Sequence, residues 1–220
     1  MRASKQASES FLIVIILTLS GGFMDAYSYI CRGEVFANAQ TGNILLFGVH
    51  LTKGEFSYAI RYALPVAAFI AGIAIADCVR YRFKNYRHFH WRQVIVLCEA
   101  MILTLVMFMP QEYNLLANTL TSLACGAQVE TFRKVWGRGI ATTMCIGNIR
   151  IATQSVCEYA HKKNKTALLE GIGYYGVVGV FVAGAVLGNK CVELLEEKAI
   201  CVSAALLIAA FALMLRNGEK

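Results

Sequence analysis

Six runs of apolar residues, at 11–30, 59–76, 94–109, 115–129, 171–187 and 199–215, alternate along the chain with short polar breaks. A helix needs about 20 mostly apolar residues, within a range of roughly 17–25, to cross the hydrocarbon of a bilayer. The runs 94–109 and 115–129 reach that length only with their polar flanks; the others reach it unaided. Two further segments, 35–51 and 140–157, are helix-like but half polar. One reads Asn38-Ala39-Gln40-Thr41-Gly42-Asn43, the other Thr142-Thr143-Met144-Cys145-Ile146-Gly147-Asn148-Ile149-Arg150. The pattern predicts an all-α integral membrane protein, a single membrane domain over 1–220, with about six crossing helices and two polar segments that do not cross.

The charges fix which segments cross. Arg80, Arg82, Lys84, Arg87 and Arg92 crowd one loop, Arg133, Lys134 and Arg138 a second, and Lys162, Lys163 and Lys165 a third. Basic residues in short loops stay on the cytoplasmic side. With Arg2 and Lys5 also cytoplasmic, the first helix exits. A full crossing at 35–51 would then carry the five-positive loop outside. If 35–51 dips in and returns, the loop stays inside. The same argument keeps 140–157 from crossing, because basic loops flank it on both sides. Both termini are thus expected in the cytoplasm, in a bacterial cytoplasmic membrane.

The chain also reads as a duplication, over 10–109 and 113–216. Gly42-Asn43-Ile44 recurs as Gly147-Asn148-Ile149 at an offset of 105 (147 − 42), and that offset carries Gly21 onto Gly126 and Asp25 onto Glu130. Phe69-Ile70-Ala71-Gly72 recurs as Phe181-Val182-Ala183-Gly184 at an offset of 112 (184 − 72), the extra residues falling in the loop before the fifth crossing. Three crossings per half is odd, so the halves are expected to be inverted relative to one another. Inverted repeats with Gly-interrupted polar segments at membrane depth place transporter sites where the halves meet.

Composition agrees with a membrane class: 57% of residues are hydrophobic and only 16% charged, with a mean hydropathy of +0.54, against about 25% charged in soluble domains. The net charge of +7 follows the loop topology and is not read as a nucleic-acid signal. The first apolar run is longer than a signal-peptide core and lacks a small-residue cleavage site, so a retained helix is expected. Eight cysteines without CxxC spacing read as packing residues, and neither a metal site nor a cofactor is expected. Histidines at 50, 88, 90 and 161 sit in loops or span ends, which argues against an intramembrane haem.

Three acids lie in or near the spans: Asp25, Glu99 and Glu130. An ionised carboxylate in hydrocarbon is costly and faces a cavity or a partner. Asp25 follows Gly21-Gly22 by one turn and is a candidate ion- or proton-coupling group, or else a cap. Glu130 is a second coupling candidate, or else a local partner of Arg133. Glu99 reads as a packing or snorkelling residue. Asn38, Gln40, Thr41, Asn43, Gln128, Thr143 and Asn148 form the candidate substrate site. Their amides and hydroxyls donate and accept, which suits a neutral or zwitterionic solute or a partly stripped ion. The competing reading makes the same residues glue between packed repeats. Arg150 has no counterpart in the first half, where Leu45 stands, and is expected to point to headgroups.

The segments Gly21-Gly22-Phe23-Met24-Asp25-Ala26, Phe36-Ala37-Asn38-Ala39-Gln40-Thr41-Gly42-Asn43 and Cys125-Gly126-Ala127-Gln128-Val129-Glu130-Thr131-Phe132-Arg133-Lys134, with Ala141-Thr142-Thr143, resemble the YoaK family of bacterial membrane proteins, a domain of unknown function. The resemblance covers almost the whole chain and implies about six membrane helices. It supplies no substrate. Ile146 stands where the first half has Thr41, so a site needing both hydroxyls is not symmetric here.

Three functions follow in order. First is a small-solute transporter or channel, not an enzyme, with a polar site at the repeat interface; its partners are the lipid bilayer and an unidentified solute or ion, and a homo-oligomer is compatible with the sequence. A membrane scaffold or sensor comes second. Last is an enzyme on a lipid or quinone, for which Asp25 with Glu130 is the only reactive pair.

Overall fold

The computed structural model describes residues 10–83, 90–133 and 142–216. Among these there is no strand; the elements are α1 (Phe11–Cys31), α2 (Gln40–Thr52), α3 (Phe56–Phe83), α4 (Trp91–Val106), α5 (Asn114–Thr131), α6 (Cys145–Lys162), α7 (Lys165–Leu195) and α8 (Ile200–Arg216), with 3₁₀ turns at Gln111–Tyr113 and Glu196–Ala199. The basic stretch 84–89, the positions of Lys134 and Arg138, and the N-terminal segment with Arg2 and Lys5 lie outside the described residues.

Local chemistry sets several boundaries. The Ser10 hydroxyl accepts from the Ile13 amide and starts α1. Before α4, His90 and Gln93 form a reciprocal capping box, which satisfies donors a helix end would otherwise leave open. The Asn164 side chain accepts from Thr166 N–H at the start of α7, straight after α6 ends on a left-handed Lys163.

By length and hydropathy α1, α3 and the stretch Lys165–Arg216 can cross a bilayer. That last stretch is a hairpin. Ile172, Gly176 and Val180 of α7 run beside Phe11, Val14 and Thr18 of α1 in the same direction. Tyr27 then donates to the Glu197 carbonyl, and Ser203 bonds Ser20, so α8 descends along α1 in the opposite sense. α4 and α5 have only 16 and 18 residues, about 24 and 27 Å. Contacts orient them as well. Asn114 at the start of α5 meets Arg32 just past α1, and Gln128 near its end reaches the Leu17 carbonyl. α5 therefore runs against α1, α3 runs with α5, and the end of α4 at Val106 returns to Arg32. The helices α1, α3, α4, α5, α7 and α8 therefore alternate in direction along the chain.

The helices cross in an interleaved way. α1 packs on α7 and α3 on α5; α2 lies against α3 as α6 does against α7; α4 meets α8 at the centre. Exchanging α1 with α5, α2 with α6, α3 with α7 and α4 with α8 reproduces the main contact pattern. Glycine makes the two principal crossings possible. A methyl group on Gly22 would collide with the Phe181 carbonyl, and one on Gly184 with the Leu19 carbonyl. In the other crossing Gly126 meets the Phe69 carbonyl, and Gly72 that of Leu123. Small residues at such sites let helix backbones touch where lipid supplies no hydrophobic drive. The matched glycines are Gly22 and Gly126, so the offset along these helices is 104 (126 − 22). That is one residue short of the 105 read from the sequence.

Beneath these crossings lies an apolar core of α1, α4, α5 and α8 residues, among them Leu17, Phe23, Leu103 and Leu207. One buried cation anchors its end. Arg32, fully buried, donates to the Tyr27 hydroxyl (2.7 Å), Asn114 Oδ1 (3.1 Å) and the Val106 carbonyl (3.2 Å). It thereby joins the ends of α1 and α4 to the start of α5.

Candidate functional site

After α1 the chain doubles back. Gly33 (φ 84°) and Glu34 (φ 60°) make the reversal, and residues 35–39 then run down the side of α1. Hydrogen bonds record the descent: Ala37 N–H donates to Ser28 Oγ (3.1 Å), Asn38 N–H to Asp25 Oδ1 (2.6 Å), and Asn38 Nδ2 to the Gly21 carbonyl (3.0 Å). From that depth α2 climbs back, and its end brings His50 against Tyr58 and Tyr62 at the start of α3. The segment thus returns toward the end of α1 from which it came.

α6 does the reverse. Thr142 and Thr143 press on Gly21, where an added Cβ would lie 3.1 Å from the Thr142 carbonyl oxygen. α6 then runs toward the opposite face, with Ala152 beside Gly171 and Thr153 bonded to Tyr175. The N-terminal ends of α2 and α6 therefore converge within one turn of α1, between Gly21 and Asp25.

A cavity of about 390 Å³ lies where they meet, within the size range of small-molecule sites. Asp25, Asn38, Gln40 and Thr41 border it from the first half, and Thr143 through Gly147 from the second. Phe69 and Phe181, the matched residues of the two crossings, wall it. Its rim is open at Thr41 and at Ile146, which is 79% exposed.

The two helix ends differ electrically. A helix N-terminus carries unsatisfied N–H groups and about half a positive charge. Ala39, the N-cap of α2, offers no side-chain acceptor, and Asp25 takes over that task from α1, accepting from Asn38 and Ala39. The N-cap of α6 is Met144, also without a side-chain bond. Asn38 and Thr143, each only 3% exposed, are among the lining residues, and their Oδ1 and Oγ1 atoms are enclosed without a hydrogen-bond partner. An unmet buried polar atom costs on the order of 1–3 kcal/mol.

The expected site residues divide. Asp25, Asn38, Gln40, Thr41 and Thr143 come together at the cavity. Asn43 does not border it. Its side chain clips the turn before α2, accepting from Phe36 N–H and donating to the Phe36 carbonyl and Gln40 Oε1. Asn148 similarly donates to the Met144 carbonyl, in the first turn of α6. Gln128 is buried in the core with Nε2 on the Leu17 carbonyl. Glu130 lies away from the cavity, paired with Arg80 (3.4 Å) and Arg133 (3.3 Å). Its ion pairs favour the local reading over a coupling role. Arg150 is exposed on α6. Glu99 does not snorkel: it is 1% exposed, and neither carboxylate oxygen has a partner.

Sequence reasoning missed Phe69, Phe181 and Cys145 as cavity residues. The recurrence of Phe69 as Phe181 is the available signal.

A family model described as "Protein of unknown function (DUF1275)" matches residues 13–213. The chain is similar to the UPF0700 transmembrane protein YoaK of Bacillus subtilis (strain 168), 23% identical over 187 residues that cover 80% of each protein. No solved structure matches the chain.

Proposed function

This chain belongs to the DUF1275 family of membrane proteins, the family of YoaK, and from that premise we propose that it carries a small solute across the bacterial cytoplasmic membrane. The observation that supports this reading best is the cavity itself. Two half-length helices enter from opposite faces and end, N-terminus to N-terminus, at a space lined by Asp25, Asn38 and Thr143. Interrupted backbone at membrane depth is tolerated where it lines a cavity, and half-helix N-termini aimed at mid-depth are the means by which many transporters hold polar groups.

Six crossings with both termini cytoplasmic fit the same reading. Arg80, Arg82, Arg133, Lys162, Lys165 and Arg216 all stand at helix ends on the side where α1 begins. Glu34, Glu55, Glu112, Glu193, Glu196 and Glu197 stand on the other. Basic residues mark the cytoplasmic side. The exchangeable contacts and paired glycines support a duplicated chain whose halves, 10–109 and 113–216, are interleaved and inverted. The bilayer is the one partner this reading requires.

A second reading, a scaffold held together by its polar segments, is favoured by one observation: Asn43 is fully engaged inside its own turn. The test is thermal unfolding of the purified full chain against ions, amino acids, nucleosides, vitamins and sugars, with Thr143→Val alongside. A ligand at a hundredfold excess over Kd stabilises by about 2.7 kcal/mol. Transport through the cavity requires a solute that stabilises the wild type and stabilises Thr143→Val less. A panel in which nothing separates the two proteins would favour the scaffold.

A further inference from the structure

We propose that the pocket at the far end of α1, away from the basic helix ends, is a phosphate-binding site at headgroup depth, with Arg61 as the group that receives the phosphate.

The pocket is separate from the central cavity and shares no lining residue with it. The end of α1 at Tyr29, the turn at Gly33 and Glu34, the end of α2 at His50 and the start of α3 enclose a space of about 370 Å³. Tyr58, Arg61 and Tyr62 enter it from the first two turns of α3.

Gly33 gives the guanidinium its place. A Cβ on that residue would fall 1.7 Å from Arg61 Nη2, so any side chain there would displace the arginine. The φ of 84° at Gly33 is one that glycine adopts without strain. Held on this turn, Arg61 is half-buried, and among the described residues it makes neither a hydrogen bond nor an ion pair. Its five N–H donors form a planar fork that matches a phosphate bidentately, and here that fork is unused.

The nearby acids do not fill it. Glu55 is taken by His50, whose Nδ1 lies 2.6 Å from its Oε2. Glu34 is exposed at the rim and is not paired with Arg61. His50 is fixed as a wall, stacked on Tyr58 at 5.3 Å and on Tyr62 at 5.5 Å. The hydroxyls of Tyr29, Tyr58 and Tyr62 make no hydrogen bond among the described residues either, and each can donate one. The pocket thus gathers one unpaired cation with neutral donors around it.

Depth points to phosphate. α1 has 21 residues, about 31 Å, which matches a hydrocarbon core of about 30 Å, so its last turn ends among the headgroups. Tyr29, Phe56 and Tyr58 are exposed at this level, where amphipathic rings gather at a membrane surface. A phosphate reaches Arg61 there either on a phospholipid or free from the adjoining water, and the recognising chemistry is the same.

The experiment follows thermal unfolding of the purified full chain in a detergent without phosphate groups. The probes are phosphatidylethanolamine, phosphatidylglycerol, diacylglycerol of the same acyl chains, and inorganic phosphate. Arg61→Gln removes the fork; since Arg61 has no partner to lose, this variant should melt with the wild type when no probe is added. Arg216→Gln, at the exposed end of α8, is the control. The proposal expects a phospholipid, inorganic phosphate or both to raise Tm, and diacylglycerol to leave it unchanged. Arg61→Gln should need at least about tenfold more of the effective probe, as the loss of hydrogen bonds to a charged group implies, while Arg216→Gln matches the wild type. A response to phospholipid alone assigns the lipid as the source; a response to inorganic phosphate assigns a free phosphate group. Should Arg61→Gln fail to fold, Arg61→Lys makes the same comparison, because it keeps the charge and loses the fork. The proposal is overturned if no phosphate-bearing probe raises Tm, if diacylglycerol stabilises as well as the phospholipids, or if Arg61→Gln responds as the wild type does.

Discussion

Replacing Gly126 by alanine probes the interleaved packing that brings the two half-helices together. A Cβ at Gly126 would lie 2.9 Å from the carbonyl carbon of Phe69 and 3.0 Å from its Cα, with the oxygen nearer still. Carbon atoms pack at about 3.5–4.0 Å, so α3 and α5 must separate by on the order of 1 Å, which forfeits a quarter to a half of the dispersion attraction along the crossing. The obstacle is backbone and cannot swing aside, which puts the cost at the top of the usual overpacking range, about 3 kcal/mol. Alanine returns about 1 kcal/mol of helix propensity, leaving a net loss of about 2 kcal/mol. For a chain of this size that lowers Tm by roughly 4–8 °C. Gly179, with no atom within 4 Å of its added Cβ, is the control, and Gly179→Ala should leave Tm unchanged or raise it. Pairs of substitutions sharpen the test. Gly22→Ala with Gly184→Ala acts on one crossing, so the second change should cost less than it does alone. Gly72→Ala with Gly184→Ala acts on different crossings and should add. The assay is thermal unfolding of the purified full chain. A Gly126→Ala protein that melts with Gly179→Ala would refute the packing.

Other perturbations follow from named contacts. Asn43→Ala removes three hydrogen bonds from the turn before α2 and should destabilise by about 1–3 kcal/mol, with faster amide exchange at 36–43 as the readout. Asp25→Asn weakens the cap that α1 gives α2 and should cost about 1 kcal/mol along with solute binding; unchanged binding would remove Asp25 from the site. Glu130→Gln breaks partly exposed pairs with Arg80 and Arg133 and should change stability by under about 1 kcal/mol without altering uptake. Arg32→Met removes three hydrogen bonds and strands Asn114 Oδ1, so a loss of several kcal/mol is expected in the same unfolding assay.

Much of this was legible in the chain, and the limits have physical causes. Apolar runs located the longer helices because burial in lipid is read from composition alone. That the chain doubles back beside α1 rests on Asn38 bonding Asp25 and Gly21, contacts that composition does not name. Which helices pair was not legible. The Phe69/Gly72 and Phe181/Gly184 recurrences marked close approaches, but a glycine does not name its neighbour, so the interleaving of the halves had to come from the structure. Asn43 and Asn38 looked alike, because an amide that clips a turn and an amide that faces a cavity have the same sequence signature. The motif recurs at an offset of 105 while the glycines of like contact role, Gly22 and Gly126, are 104 apart, a difference that only contacts reveal. Arg32 carries no such signal, a lone cation whose acceptors are the nearby Tyr27 hydroxyl and a carbonyl and an amide distant in sequence.

The most direct test of solute passage through the cavity uses its own thiol, Cys145, at the first turn of α6. Proteoliposomes bearing the full chain are exposed to a mixture of amino acids, nucleosides, sugars, vitamins and salts, and their contents are quantified by mass spectrometry before and after thiol alkylation. At least one solute should enter above protein-free vesicles, and alkylation should abolish its entry in the wild type while sparing Cys145→Ser. Entry that continues with Cys145 fully alkylated, or no entry of any solute, would contradict the account.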